Sequence, residues 1–339
     1  MTPALRIIGS GAVTAAGLTL PQSAAAFVAG IDGFREITSP DEFGTPQIVA
    51  EIPTDWRLRP DPATWLQNLA ARAGNEALGD GDRAGTLLLC TPPSSKRGHP
   101  CWQESDPRRF RAALNDKLGG PFATGSRLVD GGPAALIGAL PDAATRLARG
   151  EADRILLLGV DSLINTSDMA RFRAAGRLHG GSAQGLVPGE AAGAVLLTTT
   201  PGPGMQILMT GLADEPENVL GERQSQGRAM QKALEAASSA EGYGESAVEF
   251  VVSNFNGERY GALEALIFRA RFYRTHREYM ATAYPAMSFG DTGSASAALA
   301  LAVAADAFGK DYAPGRCAML EIASEDGLRA AACLTGGPG

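Results

Sequence analysis

Histidine and cysteine are scarce in this 339-residue chain. There are three histidines (His99, His179, His276) and four cysteines (Cys90, Cys101, Cys317, Cys333), and no two cysteines form a CxxC pair. A zinc site built from His and Cys ligands therefore has no sequence support. No metal or other cofactor is expected. Basic residues do not dominate either: 30 Lys and Arg stand against 37 Asp and Glu, a net charge of −7. That balance excludes a nucleic-acid surface or an anionic membrane as the main partner. Long apolar runs are missing too, because the Ala-rich stretch 295–305 is too short to span a bilayer. The opening residues, MTPALRIIGSGAV, show no basic-then-apolar leader and no cleavage site. Scattered cysteines within apolar runs read as small core residues in a reducing compartment, so a cytoplasmic location is expected.

What is present suits an ordinary globular chain: 45% hydrophobic and 20% charged residues. Strand and helix signals alternate, which points to an α/β class. Apolar strands are expected at Leu5 to Ile8, Gly85 to Cys90, Arg154 to Val160 and Ala191 to Thr198. Asp61 and Pro62 read as the cap and first turn of a helix that runs to Leu78. Residues 108–117 have helical spacing. Residues 133–149 read as a buried helix kinked at Pro141. The polar stretch 94–105 (SSKRGHPCWQES) has no period and reads as a surface loop.

Gly202 to Gly204 is the best break in the pattern, and it divides the chain into 1–201 and 202–339. The order of elements then recurs. Residues 5–13 resemble 205–213, 85–92 resemble 247–255, and 128–148 resemble 283–305. In the same order, 154–161 resemble 316–324 and 193–199 resemble 328–335. Two copies of one α/β unit are expected.

A duplicated unit with a glycine turn before a buried helix resembles the thiolase fold. Four segments narrow the resemblance to the β-ketoacyl synthases. They are IIGSGAVTAAGLTL near the start, VDGGPAALIGAL followed by RILLLGVDSL, GLVPGEAAGAVLL from Gly185, and SFGDTGSASAALALA from Ser288. The third is the most specific, with Pro188, Gly189 and Glu190 at signature positions. The resemblance covers nearly the whole chain, which looks several tens of residues shorter than a typical member. It implies two mixed five-stranded sheets around buried central helices that begin near Pro133 and Thr292.

The resemblance also implies a cysteine nucleophile at a helix start and two histidines that polarise a thioester carbonyl. Here those positions hold Pro133, Asn256 and Asp291, and Ala286 or a neighbour stands for an expected lysine. No cysteine or histidine occurs in 128–138, 251–260 or 284–293, so a small slip in alignment does not restore the triad. Replacement chemistry finds little support. Cys90 reads as a buried strand end. His99 with Cys101 is either a base and nucleophile or part of a solvated loop. Glu190 is either a carboxylate base or a residue that fixes the surrounding loops.

The polar group Asn256, Glu258, Arg259, Tyr260 and Asp291 is either a set of paired charges in an inherited pocket or a recognition surface. Arg259 is expected to pair with Asp291 or Glu258, or to face a partner. A non-catalytic ketosynthase-like protein that acts by binding is therefore expected. Similar triad-less proteins occur in bacteria, some encoded beside type VI secretion effectors, where they look like accessory or adaptor proteins. The alternatives are a chain-length-factor-like partner of an active synthase, or an acyl-thioester enzyme with altered chemistry. Homodimer or heterodimer formation is expected through the edge of the GTLLLC strand, with a secretion effector or an acyl carrier protein as other partner classes.

Overall fold

The computed structural model describes residues 4–38, 46–54, 59–180 and 184–337. The first repeat opens with β1 (Leu5–Val13), α1 (Leu20–Val28) and the hairpin β2 (Arg35–Thr38) and β3 (Pro46–Val49). It continues through α2 (Pro62–Leu78), β4 (Thr86–Thr91), α3 (Cys101–Glu104), α4 (Pro107–Lys117), β5 (Arg127–Leu128), α5 (Gly132–Gly138) and α6 (Leu140–Ala148). It closes with β6 (Arg154–Ser162), α7 (Thr166–Ala174) and β7 (Glu190–Thr198). The second contains β8 (Met205–Asp214), α8 (Arg228–Ala237), β9 (Phe250–Ser253), α9 (Arg259–Phe272), β10 (Ala281–Ala283), α10 (Ala286–Phe289), α11 (Ser296–Gly309), β11 (Cys317–Ala323) and β12 (Leu328–Gly336).

The strands run in the order β5-β4-β6-β7-β1, then β8-β12-β11-β9-β10. Read outward from the joint, the two lists follow the same internal order. Directions match as well: β4 is parallel to β5 and β6, and β9 is parallel to β10 and β11, while the remaining neighbours are antiparallel. Four of the five recurrences in the sequence fall on equivalent strands, and the third, 128–148 with 283–305, falls on the helices α5–α6 and α10–α11. The two groups of five are joined by a short ladder between β1 and β8, Leu5 with Ile207 and Arg6 with Gln206. The architecture is that of a duplicated α/β unit, but its ten strands form one continuous mixed sheet of two equivalent five-stranded halves where two separate sheets were expected.

Both faces of each half are covered, which is why the strands read as unbroken apolar runs. In β6, Ile155 and Leu157 enter the central core with α5 and α11, while Leu156 and Leu158 pack on the α2 side. In the second repeat Met319, Ala331 and Cys333 face outward, against α8 and α9 residues such as Met230 and Phe268. Close helix packing depends on glycine at matched positions. A Cβ at Gly11 would collide with the Ala73 carbonyl of α2, and one at Gly211 with the Ala233 carbonyl of α8.

Two expectations are refined and one needs correction. The helix across 133–149 is interrupted at Ala139, which stays right-handed helical between α5 and α6, with Pro141 in the first turn of α6. The central helix expected near Thr292 opens with a 3-10 turn at Gly293–Ala295 and continues as α11 from Ser296. The GTLLLC strand, β4, is interior, between β6 and the two-residue edge strand β5, so it offers no edge for pairing.

Candidate functional site

The turn before α5 uses two glycines with positive φ, Gly131 at 113° and Gly132 at 70°. Ser324, just past β11, fixes this turn. Its Oγ donates to the Gly131 carbonyl at 3.0 Å and accepts from the Ala134 amide at 3.0 Å. Pro133 is buried at the start of the helix. The loop after β9 is anchored by Asn254, which exchanges hydrogen bonds with both backbone groups of Ala323 at 2.9 Å.

The PGE signature holds the third loop. Asp291 N–H donates to the Val187 carbonyl at 2.7 Å, and Gly189 N–H donates to the Asp291 carbonyl at 2.8 Å. Glu190 is fully buried and acts as a tie rather than a base. It accepts from Ile52 N–H at 3.0 Å, Trp65 Nε1 at 3.1 Å and Ser162 Oγ at 2.9 Å, and pairs with Arg59. Ala286, at the start of α10, brings no polar side chain.

Pro133, Asn256 and Asp291 line one cavity of about 320 Å³. Asn256 Nδ2 donates to Asp291 Oδ2 at 2.7 Å and to Glu258 Oε2 at 2.9 Å. Asp291 Oδ1 accepts from Gly293 N–H at 2.9 Å. Withdrawal from solvent pushes the Asp291 carboxyl up, and the charges of Glu258 and Glu325 act in the same direction. Tyr260 also lines the cavity. Its hydroxyl donates to the Glu217 carbonyl, and burial raises it to about 12.

Arg259 does not join this group. It is exposed at the start of α9 and has no ion pair among the described residues. The guanidinium at the site is Arg177. It grips Glu258 with two bonds of 2.6 and 2.9 Å and also pairs with Glu325. Arg171 joins Glu325 at 2.7 Å to Asp168 at 3.0 Å. Arg97 binds Asp161 with bonds of 2.7 and 2.5 Å. Burial alone would raise Asp161, but the paired guanidinium holds it below the usual carboxylate range. None of Arg97, Asp161, Asp168, Arg171, Arg177 or Glu325 stood out in the sequence. Asp161, an acid ending an apolar strand, was the available signal.

The stretch 94–105 runs at the surface, with Ser95, Lys96, Gly98, Gln103 and Glu104 exposed, but it turns two side chains inward. His99 and Cys101 are both buried. His99 Nδ1 accepts the Cys101 amide at 3.1 Å, and Nε2 faces the Ser162 carbonyl at 3.1 Å. Those contacts fix the neutral tautomer and leave no free nitrogen to serve as a base. Burial pushes the Cys90 and Cys101 thiols upward, away from thiolate.

No protein-family model matches the chain, and no curated protein matches its sequence. Solved structures do match. The ishigamide ketosynthase/chain length factor is similar with a TM-score of 0.81 and 16% identity, covering 100% of both chains. A β-ketoacyl synthase from Burkholderia phymatum has a TM-score of 0.76 and 17% identity, covering 99% of this chain and 100% of the other. A ketosynthase in complex with its chain length factor from Xenorhabdus doucetiae has a TM-score of 0.76 and 14% identity, covering 99% and 98%. The fold is thiolase-like, of the ketosynthase and chain-length-factor type. Among the described residues no helix is long and apolar enough to cross a membrane, and no cluster of three or more His, Cys, Asp or Glu is placed to hold a metal.

Proposed function

We propose that this protein is a non-condensing ketosynthase-like pseudoenzyme that acts by binding, as the partner of another protein. The observation that carries the reading is the shared cavity. Pro133, Asn256 and Asp291 line it together, as the resemblance to condensing enzymes requires, yet none supplies a thiolate or an imidazole. Proline has no nucleophile, and the Asp291 carboxylate would repel an oxyanion developing beside it.

A chain-length-factor-like role beside an active synthase is the partner reading that the structural likenesses favour, since two of the similar structures contain such pairs. A secretion effector or an acyl carrier protein is the competing partner. Two measurements test the proposal. Purified protein supplied with acyl thioester and malonyl-carrier protein is expected to form no β-ketoacyl product. Pull-down from the native host with mass spectrometry is expected to recover a thiolase-fold synthase. Steady product formation would overturn the non-condensing reading. Recovery of an effector without a synthase would replace the synthase-partner reading with the adaptor one.

A further inference from the structure

The charges around the cavity are unevenly satisfied. Each of its guanidiniums is charge-paired: Arg177 with Glu258 and Glu325, Arg171 with Asp168 and Glu325, Arg97 with Asp161 and Asp168, and Arg329 with Glu264, although the Nε–H groups of Arg97 and Arg171 make no hydrogen bond among the described residues. Deeper in, Glu321 is paired with Arg269. Lys96 and Asp326 are exposed at the rim with opposite charges. Asp291 is left as the withdrawn carboxylate of the lining that has no guanidinium among the described residues. Its hydrogen bonds come from Asn256 Nδ2 and the Gly293 amide, both of which also line the cavity. A carboxylate has about four acceptor positions, so capacity remains.

The rest of the wall is largely apolar, with Phe255, Phe268 and Met230 on it. A volume of about 320 Å³ suits a small organic molecule. An anionic ligand would meet guanidiniums whose charge is already balanced by bound carboxylates. At Asp291 a thioester carbonyl would meet an acceptor where it needs a donor. A protonated nitrogen there would meet a carboxylate with no guanidinium partner among the described residues.

We infer that the cavity is a binding site for a small organic amine, its ammonium on Asp291 and its apolar body against Phe255, Phe268 and Met230. The inference rests on the reading that this cavity binds rather than condenses, and it adds the chemical class of the ligand.

Calorimetric titration of the full chain at mildly alkaline pH tests it with three probes of similar shape: phenethylamine, 2-phenylethanol and 3-phenylpropanoate. The amine is expected to bind at least about tenfold more tightly than the alcohol, with no detectable binding of the carboxylate. Asp291→Asn is expected to remove most of that advantage. The ranking of probes on the unmodified protein needs no variant, so a misfolded Asp291→Asn does not leave the idea untested. Nα-acetyl-lysinamide carries the ammonium without the aromatic body and is expected to bind more weakly. If it bound more tightly than phenethylamine, a partner's lysine would replace the small amine as occupant. Binding of the carboxylate as tight as that of the amine, or no binding by any probe, would overturn the inference. The non-condensing reading would survive either result, because it falls only on product formation.

Discussion

Removing Arg177 should cost more than its position in an irregular segment suggests. Its side chain is 12% exposed, and its partners Glu258 and Glu325 are 11% and 28% exposed. Arg177→Ala leaves Glu258 with Asn256 as its remaining side-chain donor. Glu325 keeps Arg171. Breaking a buried pair costs about 3–5 kcal/mol, whereas an exposed pair is worth roughly 0.2–1 kcal/mol. The Glu258 arm belongs near the lower end of the first range. The Glu325 arm adds little, because it is partly exposed and retains a cation. A loss of about 3 kcal/mol follows. With an unfolding entropy of about 2.1 cal/mol/K per residue over 339 residues, the melting temperature falls by about 4 °C. The loss should depend on pH. Burial alone would raise Glu325, but Arg177 and Arg171 hold it below its ordinary value of 4.5. A depressed carboxylate contributes stability above its unfolded value and loses it as pH falls through the folded value. The variant has less of this contribution to lose. The gap between the two proteins should therefore narrow by the small Glu325 share as pH falls from about 7 toward about 4. Urea titrations at both pH values measure it. A gap under about 1 kcal/mol at neutral pH would refute the assignment of Arg177 as the cation that pairs Glu258.

Two further substitutions separate structural from recognition residues. Glu190→Ala strands Ile52 N–H, Trp65 Nε1 and Ser162 Oγ and leaves Arg59 with Glu51 as its carboxylate among the described residues. It is expected to cost about 3–5 kcal/mol in urea denaturation, and a cost below about 1 kcal/mol would remove the tie as an explanation of the PGE signature. Arg259→Ala is expected to change stability by less than about 0.5 kcal/mol, because the side chain is exposed and has no ion pair among the described residues. A larger loss by differential scanning calorimetry would return Arg259 to the structural network, and unchanged stability with weakened partner capture would make it an interface anchor.

The repeats were legible because each core strand is buried on both faces, so runs such as RILLLGV and GTLLLC stand out without periodicity. The position of GTLLLC within its sheet was not legible. Its neighbour β5 contributes two residues to the ladder, too few to leave a pattern. At the site, Pro133, Asn256 and Asp291 followed from the order of motifs. The choice of guanidinium did not. Arg177 lies 81 residues from Glu258 and 148 from Glu325, in a segment without period. Arg259, adjacent to Glu258 in sequence, was the nearer candidate, but the first turn of α9 turns it to solvent. His99 and Cys101 were hidden in a different way. The polar stretch around them runs at the surface, and their side chains turn inward where Asp161 neutralises Arg97 and the Ser162 carbonyl meets the imidazole.

The ion pairs that escaped the sequence also explain how the cavity keeps its shape. Arg171 and Arg177 belong to the first repeat, and Glu258 and Glu325 to the second, so each pair bridges the two halves. The two halves of the sheet share a two-pair ladder between β1 and β8. The packed central helices α5 and α11 supply most of the apolar contact between halves, and apolar contact is tolerant of sliding. Two-bond guanidinium–carboxylate contacts are not, because both bonds hold at one relative placement. Buried pairs of this kind add little net stability against an apolar replacement, and register is their best-attested role. Here they hold in register the loop that carries Asn256 and the turn that carries Pro133, through Glu258 on one side and Glu325, next to Ser324, on the other. A site fixed in this way would meet a ligand already shaped, which lowers the ordering cost of binding and fits the recognition role proposed for it.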